Sequence, residues 1–128
     1  MIMKNGALAL IVAKAGPLRD SLQVFLMTLP QVETVKLVDD TPSALRMITE
    51  RNPALVLLDA TLSGDGTLTA LRWIKAKSSQ SRVLVLADDI QQQQDATAAG
   101  ADAVFVIGFP VASLLETIER LLSEQGVE

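Results

Sequence analysis

The run VLLDATLSGDG, residues 56–66, carries one carboxylate, Asp59, at the end of an apolar segment and then turns on Gly64 and Gly66. A carboxylate so placed can act as a nucleophile, ligate a hard cation or accept N–H bonds within its own turn. Position alone leaves all three open. Asp65, just before Gly66, fits a turn or helix N-cap better than a ligand. Asp39 and Asp40 follow another apolar run, Asp88 and Asp89 a third, and Lys14 the first. Two adjacent aspartates facing a third across a crevice can hold Mg²⁺. Each pair also stands at the start of a helix, where negative charge is favoured without any metal.

Composition excludes much else. The chain has 128 residues, with no cysteine and no histidine, so thiolate and imidazole chemistry, disulfides and the usual zinc sites are ruled out. No nucleophile–base pair is visible, and an enzyme is not expected. The formal net charge is -4 and the 11 basic residues are scattered, which gives no patch for a phosphate backbone. Nucleic-acid binding by this chain alone is not expected. Trp73, Phe25, Phe105 and Phe109 are the only aromatic residues, too few for a stacking platform. The connection after the first apolar run is KAGP (14–17), without a glycine-rich nucleotide fingerprint. GDG (64–66) lacks the lysine and hydroxyl of a phosphate loop.

The elements that must hold Asp59 follow from periodicity. Five apolar runs recur, at 7–13, 32–38, 54–59, 82–87 and 103–107. Four are continuous, as strands buried on both faces of a parallel sheet require, and the second alternates like an edge strand. Leu18, Leu22, Phe25, Leu26 and Leu29 form one helical stripe, and Leu114, Leu115, Ile118, Leu121 and Leu122 another. Thr41 and Pro42 read as N-cap and first residue of a helix that buries Leu45 and Ile48. Residues 68–76 form a shorter helix that buries Leu71 and Ile74, and 91–99 the weakest, ending at Gly100 as its C′ residue. The tail from Ser123 to Glu128 is polar and is expected to fray.

These elements predict a single domain over 1–128, core 7–122, of α/β class: a doubly wound (βα)5 three-layer sandwich with all its βα loops on one edge. MIMKNGALALIVAKAG has the lysine, apolar run and AKA triplet of a short secretory signal, but cleavage there would discard the first strand. No run reaches the length of a membrane span, and a cytoplasmic protein without membrane contact is expected.

An aspartate ending the third strand and AGAD (99–102) before the fifth resemble the receiver domain of two-component response regulators, CheY-like proteins. Arg19, Leu22, Ala44, Leu45, Gly66, Leu114 and Leu115 match as well. The resemblance spans about Ala7 to Leu122 and implies a flavodoxin-like sheet of order 2-1-3-4-5. It makes Asp59 the phospho-acceptor position. It also implies that the acidic pair joining the acceptor in holding Mg²⁺ falls on Ala13 and Lys14, the strand-four hydroxyl on Ala87, the strand-five lysine on Ile107 and the aromatic switch on Phe105. The Mg²⁺ site is expected to be lost, and no cofactor is expected. Phosphoryl transfer needs a cation and donors around the moving oxygens, so Asp59 is left as an acceptor position without helpers. Lys14 can reach Asp59 either as a salt-bridge partner that locks the loops or as a substitute phosphate contact, and the first is favoured.

The resulting expectation is an atypical receiver that signals through protein contacts without phosphorylation. Its expected partners are a histidine kinase, an output domain or a second copy, met through the face that carries Gln91–Gln94 and Thr117–Arg120. A phosphorylatable receiver and a small-ligand-binding flavodoxin-like domain are the alternatives.

Overall fold

The computed structural model describes residues 6–60 and 66–124, so the turn assigned to Gly64 and Asp65 lies outside the described residues. Strands β1 (Ala7–Val12), β2 (Val32–Val38), β3 (Leu55–Asp59), β4 (Arg82–Ala87) and β5 (Ala103–Val106) alternate with helices α1 (Pro17–Met27), α2 (Thr41–Arg51), α3 (Gly66–Lys77), α4 (Ile90–Ala98) and α5 (Val111–Glu124). All strand pairings are parallel and the sheet order is β2-β1-β3-β4-β5. This is the expected flavodoxin-like (βα)5 sandwich.

The pleat sends alternate side chains to opposite faces. Ile11, Leu57 and Leu84 meet α1 and α5 through Leu22, Leu26, Leu114 and Ile118. Leu10, Val56 and Val83 meet α2, α3 and α4 through Ala44, Ile48, Leu71, Ile74 and Ala96. Because β1, β3 and β4 feed both cores, they read in the sequence as unbroken apolar runs. Leu10 and Ile118 are wholly buried, and each such side chain stabilises the fold by roughly 1.5–3 kcal/mol.

Several local expectations change. The fifth run is continuous, yet every residue of β5 is only half-buried, because β5 has one neighbour and forms the open edge of the sheet. Leu18 is 43% exposed, and the buried stripe of α1 starts at Leu22. The N-cap of α2 is Asp40, not Thr41, because the Asp40 carboxylate accepts the Ser43 N–H at 2.7 Å. Helix α5 continues through Ser123 to Glu124, where Glu124 pairs with Arg82 at 3.6 Å and Arg120 at 3.3 Å. Helix α4 does end at Gly100. The Gly100 N–H bonds Thr97 O and the Ala101 N–H bonds Ala96 O, a closure that uses the positive φ of 105° at Gly100.

Candidate functional site

Strand register assembles the site. Val12 lies opposite Leu58, so the residues one step further out, Ala13 and Asp59, stand level. Asp59 in turn lies opposite Leu86, with Ala87 next along β4. The Ile107 N–H donates to the Ala87 carbonyl at 2.9 Å and extends the ladder past the end of β5. Ala13, Asp59, Ala87 and Ile107 therefore step across the C-terminal edge of the sheet, Ala87 one residue and Ile107 two residues beyond the level of Asp59. Ala13 and Ala87 are buried, Asp59 is half-buried and Ile107 is 67% exposed.

Lys14 follows Ala13 and is exposed, and among the described residues the ion pairs found do not include it. Its loop is held instead by Arg19, whose Nη1 donates to the Ala13 carbonyl at 3.4 Å. Phe105 faces the α1/α5 side, its ring centroid 5.1 Å from that of Phe109, while the adjacent Val104 packs on the α4 side.

A magnesium ion requires oxygen ligands. The edge positions Ala13, Ala87 and Ile107 offer no oxygen ligand, and among the described residues no group of three or more His, Cys, Asp or Glu could hold a metal ion. These side chains do not fit a divalent cation.

Of the remaining edge aspartates, Asp40 and Asp89 act as helix caps. Asp89 caps α4 by accepting the Gln92 N–H at 2.8 Å, and the Asp88 N–H donates to Gln92 Oε1 at 2.7 Å. The Ser43 N–H, followed by the Ser43 hydroxyl, holds the Asp40 carboxyl below the ordinary carboxylate value of 3.8. A carboxyl depressed in the folded state stabilises fully above its unfolded pKa, and the contribution is lost as pH falls through the lower folded value. Asp40→Asn keeps a capping oxygen but cannot titrate. Urea unfolding of both proteins across pH 2 to 5 should show wild type losing its advantage over the variant at the acidic end; a constant difference would refute this assignment.

Two groups escaped the sequence reading. Thr67 is buried and donates to the Ala60 carbonyl at 3.2 Å, which ties α3 to the residue after Asp59. At the opposite edge, Asp102 accepts Lys75 Nζ and the Val83 N–H, both at 2.8 Å, and Arg82 Nη1 lies 3.5 Å away. Lys75 also donates to the Ser81 carbonyl at 3.0 Å. The AGAD motif marks Asp102 as a position of interest, but nothing in the linear order links it to Lys75.

With this geometry in place, comparison with known proteins settles the family. Residues 9–119 match the family model of the response regulator receiver domain. The chain belongs to that family. The receiver domain resembles NtrX from Brucella abortus, solved in complex with ADP, with a TM-score of 0.81 and 26% identity over 94% of this chain and 27% of that one. It also resembles a two-component response regulator of the LuxR family from Aurantimonas sp. SI85-9A1, with a TM-score of 0.81 and 25% identity over 92% of this chain and 86% of that one. A response regulator from Thermotoga maritima, 20% identical with a TM-score of 0.76 over 92% of this chain and 98% of that one, shares the fold. No curated protein sequence matches. The general role of the receiver domain is in two-component signalling. Among the described residues no helix is long and apolar enough to cross a membrane.

Proposed function

We propose that this receiver signals without phosphoryl transfer, as a protein-interaction module whose conformation is set by something other than an acyl phosphate on Asp59. The observation that carries this reading is that the strand-end positions Ala13, Ala87 and Ile107 carry alkyl side chains where the family resemblance implies an acidic residue, a hydroxyl and a lysine. An aspartyl phosphate forms when a cation and hydrogen-bond donors neutralise the oxygens of the transferring group, and each lost donor costs roughly 10²–10³ in rate. Lys14 supplies positive charge beside these positions. A single ammonium has no further coordination positions for a phosphoryl group, so Lys14 does not replace a bound cation.

The partners proposed are those of two-component systems: a histidine kinase, an output domain or a second copy of this chain. The surface proposed for them runs over α4, β5 and α5. There Gln91, Gln94, Glu119 and Arg120 are exposed, and so are Ile90, Ile107 and Val111.

Incubation with acetyl phosphate and Mg²⁺, followed by intact-mass measurement of wild type and Asp59→Ala, tests the reading. No mass change is expected in either protein. A gain of one phosphoryl group in wild type that Asp59→Ala lacks would overturn the proposal in favour of an ordinary acceptor.

A further inference from the structure

Between α3 and α4, next to the acceptor position, lies a cavity of about 150 Å³. Its floor is Ala60, Val85 and Ala96, one wall is Leu68 with Thr67, and the rim on α4 is Gln92 and Asp95. A volume of about 150 Å³ accommodates one six-membered ring. The floor is apolar and the rim polar, so an occupant needs an apolar body and one polar end.

Charge selects that end. The Thr67 hydroxyl already donates to Ala60 O, and Gln92 Oε1 already accepts the Asp88 N–H. Asp95 presents a carboxylate at the rim, one oxygen of which accepts Gln91 Nε2 at 3.0 Å. Asp88 and Asp89 add negative charge at the start of α4. Of the basic groups on α3, Lys75 is bound to Asp102, and Arg72 and Lys77 are exposed. The local field therefore favours a cation.

The wall that carries Asp95 is also the most lightly packed helix of the domain. Ala96 is the one buried side chain of α4, against four in α5. Its ends are fixed by the Asp89 cap and the Gly100 closure, while its middle rests on a single methyl group. Elements with so little buried surface open locally at small free-energy cost, and a ligand that binds the closed form suppresses that opening.

We propose that the α3–α4 cavity binds a compact primary amine, a single apolar ring carrying one ammonium group, and that its occupancy holds α4 in place. This rests on the reading that Asp59 phosphorylation does not set the position of α4.

Benzylamine is the probe and benzyl alcohol its neutral isostere, each titrated into ¹⁵N-labelled wild type, Asp95→Asn and Leu68→Phe. Saturable shifts should centre on Leu68, Gln92, Asp95 and Ala96, with the amine binding about tenfold tighter than the alcohol, the margin of one charge-assisted hydrogen bond. Asp95→Asn should erase that margin. Leu68→Phe should abolish both titrations while the rest of its spectrum stays native, because the half-buried Leu68 side chain grows into the cavity. At about ten times Kd, amide exchange between Gln93 and Ala98 should slow about tenfold. The proposal is overturned by shifts that are absent, that scatter over the acidic surface or that survive Leu68→Phe, and equally by unchanged α4 exchange at saturation. No phosphodonor is present, so failure here leaves the acceptor reading to its own mass measurement.

Discussion

A protein carrying Ala13→Asp, Lys14→Asp, Ala87→Thr and Ile107→Lys together should acquire Mg²⁺-dependent phosphorylation at Asp59. Register supplies the reason: these four changes put two carboxylates, a hydroxyl and an ammonium around a carboxylate whose backbone setting is already that of a parallel sheet edge. Two new oxygen ligands beside Asp59 make a hard-cation site, and the hydroxyl and ammonium give the phosphoryl oxygens their donors. With one oxyanion donor worth roughly 10²–10³ in rate, the four together should raise phosphorylation by acetyl phosphate at least about 10³-fold over wild type. Ile107→Lys alone should do nothing measurable, since a lone ammonium without the cation repeats what Lys14 already offers. Ala87 is fully buried, so the added threonine atoms need room, and circular dichroism must show a native spectrum before the mass is read. A folded quadruple variant that takes up no phosphate would refute the idea that side-chain loss, rather than backbone geometry, silenced Asp59.

The second large effect concerns stability. Asp102→Ala should lower unfolding free energy by about 2–4 kcal/mol, because one side chain holds the Lys75 ammonium, the Val83 N–H and the Arg82 guanidinium together. Lys75 and Asp102 are only 21% and 17% exposed, so solvent cannot fully replace the lost partner. Asp102→Asn retains an oxygen for the Val83 N–H and should lose about half as much. Urea midpoints of the three proteins at equal m-values give the comparison. Equal stability of wild type and Asp102→Ala would show that the contacts around Asp102 contribute nothing net.

Much of this architecture was legible in the sequence for a simple reason: central parallel strands are covered on both sides, and residues such as Val56, Leu57 and Leu58 have nowhere polar to face. The same logic misjudged β5. A continuous apolar run says that both faces are suitable for burial, but not how much helix lies above them. At the start of α2, Asp40 and Thr41 are adjacent capping residues, and only the reach of the Asp40 carboxylate to Ser43 decides between them. The placement of Asp59 at the end of β3 was legible from the apolar run before it. The α3–α4 cavity was not, because Ala60, Leu68 and Ala96 are unremarkable residues far apart in sequence, and a void has no motif. Nor was the Lys75–Asp102 pair, whose members are 27 residues apart.

The half-covered β5 has a consequence for how this chain meets others. One long side of every parallel sheet edge carries backbone groups with no strand to pair with, and such an edge can accept an additional strand from another molecule. On the opposite side, β2 discourages this with exposed Glu33 and Lys36. The AVFV sequence of β5 contains no charge, and its protection is brevity: four residues, after which Gly108 adopts a φ of 99° and turns the chain away. Lengthening that strand, as replacing Gly108 with a β-branched residue favours, would extend the uncharged, unpaired rim.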